Sequence, residues 1–150
     1  MEKTIERSAL REIFLILALG LPFLGVQWIT GTLVNAMLLS AVFSLGLKKA
    51  FPLAFIPSIA AFFSGIMPVL FFLPFIWCSN LLLMAVFWRY KNMPIAGILI
   101  AAIAKGAYFF LLGKVVSLCG SLIWMMQFAT ALIGGLVFLK TIDFFRLKRF

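Results

Sequence analysis

The sequence contains no histidine and only four acidic residues, against thirteen lysines and arginines. The acids lie in or beside the terminal segments, at Glu2, Glu6, Glu12 and Asp143. The two cysteines, Cys78 and Cys119, match no metal-binding spacing. We interpret them as buried thiols, with a structural disulfide as the alternative. Without histidines, paired carboxylates or a metal cluster, we predict that the chain is not an enzyme and holds no cofactor or metal.

The chain is far more apolar than a soluble domain of its length, since 65% of its 150 residues are hydrophobic and only 11% are charged. A soluble domain of this size has too little interior to bury that much apolar surface. The sequence therefore predicts an integral membrane protein in contact with the lipid bilayer. The net charge of +9 comes from basic residues between the apolar runs, which is typical of cytoplasmic loops. We predict no nucleic-acid partner.

Six apolar segments predict an all-α fold, an integral membrane bundle of six transmembrane helices in a single domain. The expected bounds are near residues 12–30, 33–47, 51–65, 69–88, 94–114 and 116–139, with turns near Gly31 and near Met67 and Pro68. The polar N-terminal segment leads into the first helix without a cleavage signal, so we expect that helix to be retained. With both termini cytoplasmic, eleven of the thirteen basic residues lie inside. We therefore expect a multi-pass protein of the cell membrane.

Lys105 is the most unusual residue of the sequence, because it lies inside the apolar run from Pro94 to Lys114. A lysine at the centre of a membrane helix costs about 2.5–3.5 kcal/mol on insertion scales. No acid lies in the middle of any apolar run, so Lys105 has no obvious counter-ion within the chain. It is neutral, reaches water, or binds an anion from outside. Our hypothesis is the third of these, in which Lys105 pairs with an anionic substrate.

Three consecutive predicted helices repeat one arrangement, with an aromatic side chain one turn outward of a polar one. The pairs are Trp77 with Asn80, Tyr108 with Lys105, and Trp124 with Gln127. Residues three apart share a helix face. If the faces converge, they form a pocket open to the outside with a polar floor and aromatic walls. The alternatives are hydrogen bonding between helices for the amides and plain packing for the tryptophans.

Two further sets of residues complete the predicted interaction sites. Gln27 and Asn35 flank the first expected outer turn and are candidates for the mouth of the same pocket. Small residues recur every four positions on predicted helix two, at Ala36, Ser40 and Ser44. Such spacing lets membrane helices approach closely. It predicts packing within the bundle or, alternatively, docking of a partner membrane protein.

Three short stretches resemble an uncharacterised branch of the substrate-binding S components of energy-coupling factor (ECF) transporters. They are Leu33 to Ala36, Leu73 to Asn80, and Gln127 to Gly135. The resemblance implies a subunit that captures a small, vitamin-like molecule at the outer face of a bacterial inner membrane. It also implies a transmembrane coupling protein and ATPase subunits as partners. Many S components carry an Ala-x-x-x-Ala pattern in helix one, where this chain has Ala18 alone.

Three functions therefore remain in competition. The first is substrate capture for an ATP-driven importer; the sequence has no GxxxxGK[ST] segment for hydrolysing ATP itself. The second is a small membrane scaffold or assembly subunit without a ligand, which leaves Lys105 without a role. The third is a stand-alone facilitator or channel, which would require polar residues along the full depth of a path.

Overall fold

The computed structural model describes residues 2–65, 70–116 and 122–147, with side chains described for 8–65, 70–116 and 122–142. The described residues form seven α-helices: α1 (Glu2–Gly20), α2 (Gln27–Leu45), α3 (Leu47–Ala50), α4 (Ile56–Phe63), α5 (Leu73–Arg89), α6 (Pro94–Val116) and α7 (Leu122–Leu147). Short 3-10 turns occupy Leu21–Leu24, Phe51–Ala54 and Leu70–Phe72. The all-α prediction is confirmed for this part of the chain. The predicted turn at Met67 and Pro68 lies outside it, as does Cys119. The interpretation of Cys78 as a buried thiol is wrong, because its side chain is exposed.

Four helical segments of the described residues are long and apolar enough to cross a membrane: Gln27–Leu45, Leu70–Arg89, Pro94–Val115 and Leu122–Ile142. Many large apolar side chains on the surface are exposed, among them Ile16, Phe23, Phe63, Ile103, Leu111 and Leu136. An apolar exterior of this extent is typical of a surface that meets another apolar phase. The chain is a multi-pass membrane protein.

The predicted boundary between the first two helices is wrong. We expected helix one to reach Thr30 and the turn to fall at Gly31, but α1 ends at Gly20 and Gly31 lies inside α2. Pro22 lacks an N–H, so it cannot continue the ladder of hydrogen bonds of α1. Gly25 then adopts a φ of +77°, a left-handed conformation that suits glycine. These two residues, rather than Gly31, reverse the chain.

The predicted third helix, from Phe51 to Gly65, is also divided in the structure. A 3-10 turn at Phe51–Ala54 precedes α4, and each begins with a proline in its first two positions. Gly46, with a φ of +84°, separates α2 from the single turn of α3. The interrupted path leaves backbone carbonyls near the bundle centre outside a continuous helix. One of them, that of Ala54, contributes to the site described below.

Helix α7 packs extensively against both α2 and α6, and α5 packs against α6 and, less extensively, against α2. The Phe138 ring makes edge-to-face contacts with Phe43 of α2 and Phe87 of α5, at centroid distances of 5.7 and 5.3 Å. Helices α2, α5 and α7 therefore end on the same side of the bundle. The basic residues just beyond these contacts share that side, namely Lys48, Lys49, Arg89, Lys91 and Lys140. We call it the basic end.

Candidate functional site

Lys105 lies in the middle of α6 and is only 2% exposed. Its Nζ donates hydrogen bonds to Asn35 Oδ1 on α2, at 2.8 Å, and to Asn80 Oδ1 on α5, at 2.9 Å. We call Asn35 and Asn80 the amide clamp. Amide oxygens are acceptors, and the lysine nitrogen can donate two hydrogen bonds whether it is an ammonium or a neutral amine, so the clamp satisfies Lys105 in either form. The structure thus supplies Lys105 with dipoles instead of a carboxylate.

The amide groups of the clamp are themselves held in place by hydrogen bonds. Asn35 Nδ2 donates to Thr130 Oγ1 on α7 at 3.3 Å, and Thr130 Oγ1 donates to the Gln127 carbonyl at 3.3 Å. Asn80 Nδ2 donates to the Ala54 carbonyl at 3.0 Å. Ala54 lies at the junction between the 3-10 turn and α4, where the helix ladder is interrupted. Each amide therefore has its oxygen toward Lys105 and its nitrogen toward a separate acceptor, which orients both side chains.

This network connects α2, α5, α6, α7 and the turn before α4 through side chains that are nearly inaccessible. Asn35 is 1% exposed, Asn80 2% and Thr130 1%. Among the described residues, every buried side-chain nitrogen and oxygen has a hydrogen-bond partner. Unpaired polar groups in an apolar interior cost free energy, so complete pairing allows the network to exist there.

Glycines bring the helices close enough for these contacts. A Cβ atom at Gly134 of α7 would lie 2.6 Å from the Thr32 carbonyl oxygen and 2.9 Å from Asn35 Cβ. A Cβ atom at Gly106, next to Lys105, would lie 3.0 Å from Phe128 Cβ. Real Cβ atoms do not approach backbone this closely without displacement of the helices. The absence of a side chain at Gly134 therefore sets the distance between α7 and α2 beside Asn35.

A cavity of about 100 Å³ adjoins the network. Five predicted site residues line it: Gln27, Asn35, Asn80, Lys105 and Gln127. Its remaining lining combines hydroxyl groups with apolar surface, from Thr30, Gly31, Val34, Pro57, Ser58, Ala61, Ile76, Met126 and Thr130. Gln27 is exposed and begins α2, at the end of the bundle opposite the basic end. The cavity therefore extends from the buried lysine toward that opposite end.

The position of Asn35 differs from the prediction. We expected it beside the first outer turn, at the mouth of a pocket. Because α2 begins at Gln27 rather than near Leu33, Asn35 lies more than two turns into the helix. It is a direct partner of Lys105, whereas Gln27 keeps the position near the helix end that the sequence predicted. The misplaced turn accounts for the difference.

The predicted aromatic walls do not line this cavity. Trp77 lies behind Ser58, to whose Oγ its Nε1 donates a hydrogen bond of 2.7 Å, and it packs against the Phe55 ring. Trp124 packs edge-to-face on Phe110, and Tyr108 on Phe109, at centroid distances of 5.7 and 5.4 Å. Residues three apart on an α-helix differ in direction by about 60°. Because Gln127 and Thr130 have the same spacing and both line the cavity, the spacing alone does not decide which side chains reach it; the contacts of each ring with its neighbours do.

The predicted small-residue face on α2 is only partly free. Ala36 is buried against α7, where its backbone nitrogen lies 3.0 Å from the Cβ position at Gly134. Ser40 is half-buried and its hydroxyl donates to the Ala36 carbonyl at 2.8 Å, while Ser44 is exposed. The Ala36 end of this face therefore serves packing inside the bundle and is not available to a partner protein.

Sequence reasoning missed Thr30, Ser58 and Thr130, which are 6%, 4% and 1% exposed. A signal existed for Thr130, since it follows Gln127 by three residues on the same helix face. Thr30 and Ser58 lay in segments whose boundaries were predicted incorrectly or incompletely. In the part of the chain that the structure describes, no three His, Cys, Asp or Glu side chains lie together to hold a metal.

Comparison with known proteins finds no similar family or fold for this chain: no protein-family model, no curated protein and no solved structure matches it.

Proposed function

We propose that this chain is the substrate-binding membrane subunit of an ECF-type importer, which captures a small, anionic, vitamin-like molecule at the outer face. The observation that carries the proposal is the cavity beside Lys105. Ligand sites are concave and mostly apolar, with a few placed polar groups. This cavity has that composition, and it adjoins a lysine inside an otherwise apolar helix. Intramembrane ionisable residues generally mark a functional site.

The proposal includes a six-crossing topology with both termini in the cytoplasm. Its orientation is supported by the basic end, where five lysines and arginines gather beyond the Phe43, Phe87 and Phe138 contacts. Positive residues concentrate on the cytoplasmic side of membrane proteins. Lys114 lies toward the opposite end of α6. The cavity then opens to the outside.

Cysteine labelling tests this topology. In a variant with Cys78 and Cys119 replaced by serine, single cysteines at Val26 and Lys114 are expected to react with a membrane-impermeant maleimide added to intact cells. Cysteines at Lys49 and Lys91 are expected to react only after the membrane is permeabilised. Labelling of a cysteine at position 49 or 91 in intact cells would show that the orientation is the reverse of the proposed one. The cavity would then not open to the outside.

We predict that the protein alone binds its substrate but cannot accumulate it across a membrane. The chain contains no Walker-type nucleotide motif and no acid in its apolar middle, so we expect a coupling protein and ATPase subunits to supply energy. Native mass spectrometry of the purified protein is expected to detect a bound small molecule that is lost in Lys105→Met. Proteoliposomes containing the protein alone are expected to show binding but no uphill uptake. Concentrative uptake without ATPases would contradict the importer-subunit proposal.

One observation favours a second candidate, a scaffold subunit without a ligand. Lys105 already has two good acceptors in the amide clamp, so it also serves as a cross-link between three helices. Under this alternative, native mass spectrometry finds no small molecule, and Lys105→Met lowers stability without affecting any ligand.

A further inference from the structure

The amide clamp gives Lys105 hydrogen-bond acceptors but no counter-charge. The two clamp oxygens belong to neutral amides, and none of the fourteen residues that line the cavity is an aspartate or a glutamate. An ammonium group has three N–H donors, and the clamp accepts two of them. Because Lys105 also lines the cavity, its protonated form has one further N–H donor and an unneutralised charge to offer the molecule that fills it. The site therefore favours an anion.

We infer that the cavity binds the carboxylate of a small monoanion with an apolar body, and that it selects against dianions such as phosphate monoesters. The inference rests on the proposed function and specifies its substrate class. A carboxylate carries one negative charge, which matches the single lysine. A phosphate monoester carries about −1.5 to −2 at pH 7. It would leave excess negative charge in an apolar site with no second cation on its lining.

The neutral groups of the lining fit the rest of such a ligand. The Gln127 side chain is half-buried and lines the same cavity as Lys105, and its amide carries two N–H donors. Val34, Ile76 and Met126 supply apolar surface. The volume of about 100 Å³ is several times the roughly 10–15 Å³ that one water requires. That is room for a carboxylate with a short hydrocarbon body.

Four six-carbon probes that differ only in the head group test the inference: hexanoate, hexanamide, hexyl phosphate and hexylammonium. Their binding is measured by isothermal titration calorimetry on the full chain in lipid nanodiscs, with empty nanodiscs subtracted. Hexanoate is expected to bind at least tenfold more tightly than the other three. In Lys105→Met its affinity is expected to fall about thirtyfold or more, as for the loss of a buried charge partner.

Two further variants separate charge from shape. Lys114→Met makes the same substitution on the same helix, but Lys114 is exposed, stacks over Phe110 and does not line the cavity. It is expected to leave hexanoate affinity within twofold of the parent. Ala61→Leu adds three carbons to the cavity wall and keeps Lys105 and both clamp residues. It is expected to weaken hexanoate binding at least tenfold.

The outcomes distinguish this inference from the proposed function. Equal binding of hexanamide and hexanoate, or tighter binding of hexyl phosphate, would overturn the monoanion inference. If Ala61→Leu abolished such binding, the cavity would still be a ligand site and the proposed function would stand. Unchanged hexanoate affinity in Lys105→Met would also overturn the inference. If no probe bound the parent and native mass spectrometry found no ligand, the proposed function would fail with it.

Discussion

Asn80→Leu is expected to destabilise the folded protein by about 2–4 kcal/mol, because it leaves a buried ammonium with one acceptor in place of two. The leucine fills a similar volume, so loss of packing contributes little. The variant also removes the hydrogen bond from Asn80 Nδ2 to the Ala54 carbonyl. The free energy of unfolding is measured by denaturant titration in mixed micelles.

Removing the lysine from the Asn80→Leu variant isolates the contribution of the Lys105 charge to the loss of stability. Asn80→Leu combined with Lys105→Met is expected to be at least about 1 kcal/mol more stable than Asn80→Leu alone, because the unsatisfied charge is gone. The single Lys105→Met variant completes the cycle. Lys105→Met is expected to change the free energy of unfolding less than Asn80→Leu does. The substitution removes the desolvation cost of the ammonium but leaves two amide oxygens without their donor.

Ser79→Ala is the matched control for this cycle. Ser79 is the preceding residue of α5 and is fully buried, but its hydroxyl donates to the Ile76 carbonyl within its own helix. We expect a loss of no more than about 1 kcal/mol. If Asn80→Leu proved as mild as Ser79→Ala, or if the double variant were no better than Asn80→Leu, the clamp would not stabilise the charge of Lys105.

Gly134→Ala is expected to destabilise the protein by about 1–3 kcal/mol, although alanine favours helix formation by about 1 kcal/mol over glycine. The added Cβ would lie 2.6 Å from the backbone oxygen of Thr32 and 2.9 Å from Asn35 Cβ. Backbone cannot rotate away as a flexible side chain can, so α7 and α2 must separate. Because Asn35 lies at this contact, the displacement is also expected to weaken hexanoate binding.

The same substitution at another position, Gly20→Ala, is expected to raise the free energy of unfolding instead of lowering it. Gly20 has a right-handed helical φ of −82°, and no atom lies within 4 Å of its Cβ position. We expect a gain of about 0.4–1 kcal/mol, because the alanine restricts the unfolded chain. The two variants are compared by the same denaturant titration. If Gly134→Ala were as stable as Gly20→Ala, the close contact between α2 and α7 would not limit the packing beside the clamp.

The sequence by itself determined the properties that depend on composition and on residues close together in the chain. The membrane class follows from composition, and the extent of α6, predicted at 94–114 and found at Pro94–Val116, follows from an apolar run after a helix-starting proline. Lys105, Asn80 and Gln127 stood out because polar groups inside apolar runs are rare. Each of these inferences needs only the burial free energy of individual residues and the rise of a helix.

Tertiary structure decided which of these polar groups meet. The partners of Lys105 are 70 and 25 residues away along the chain, and their convergence depends on how each helix is rotated about its axis. A spacing of three residues puts both Gln127 and Thr130 on the cavity lining but leaves Trp77 and Trp124 off it. The break at Pro22 and Gly25 moved Asn35 from the expected mouth to the bundle centre, and Gly134 brought α7 against it. Helix rotation and approach are set by contacts between distant segments, which no local pattern in the sequence specifies.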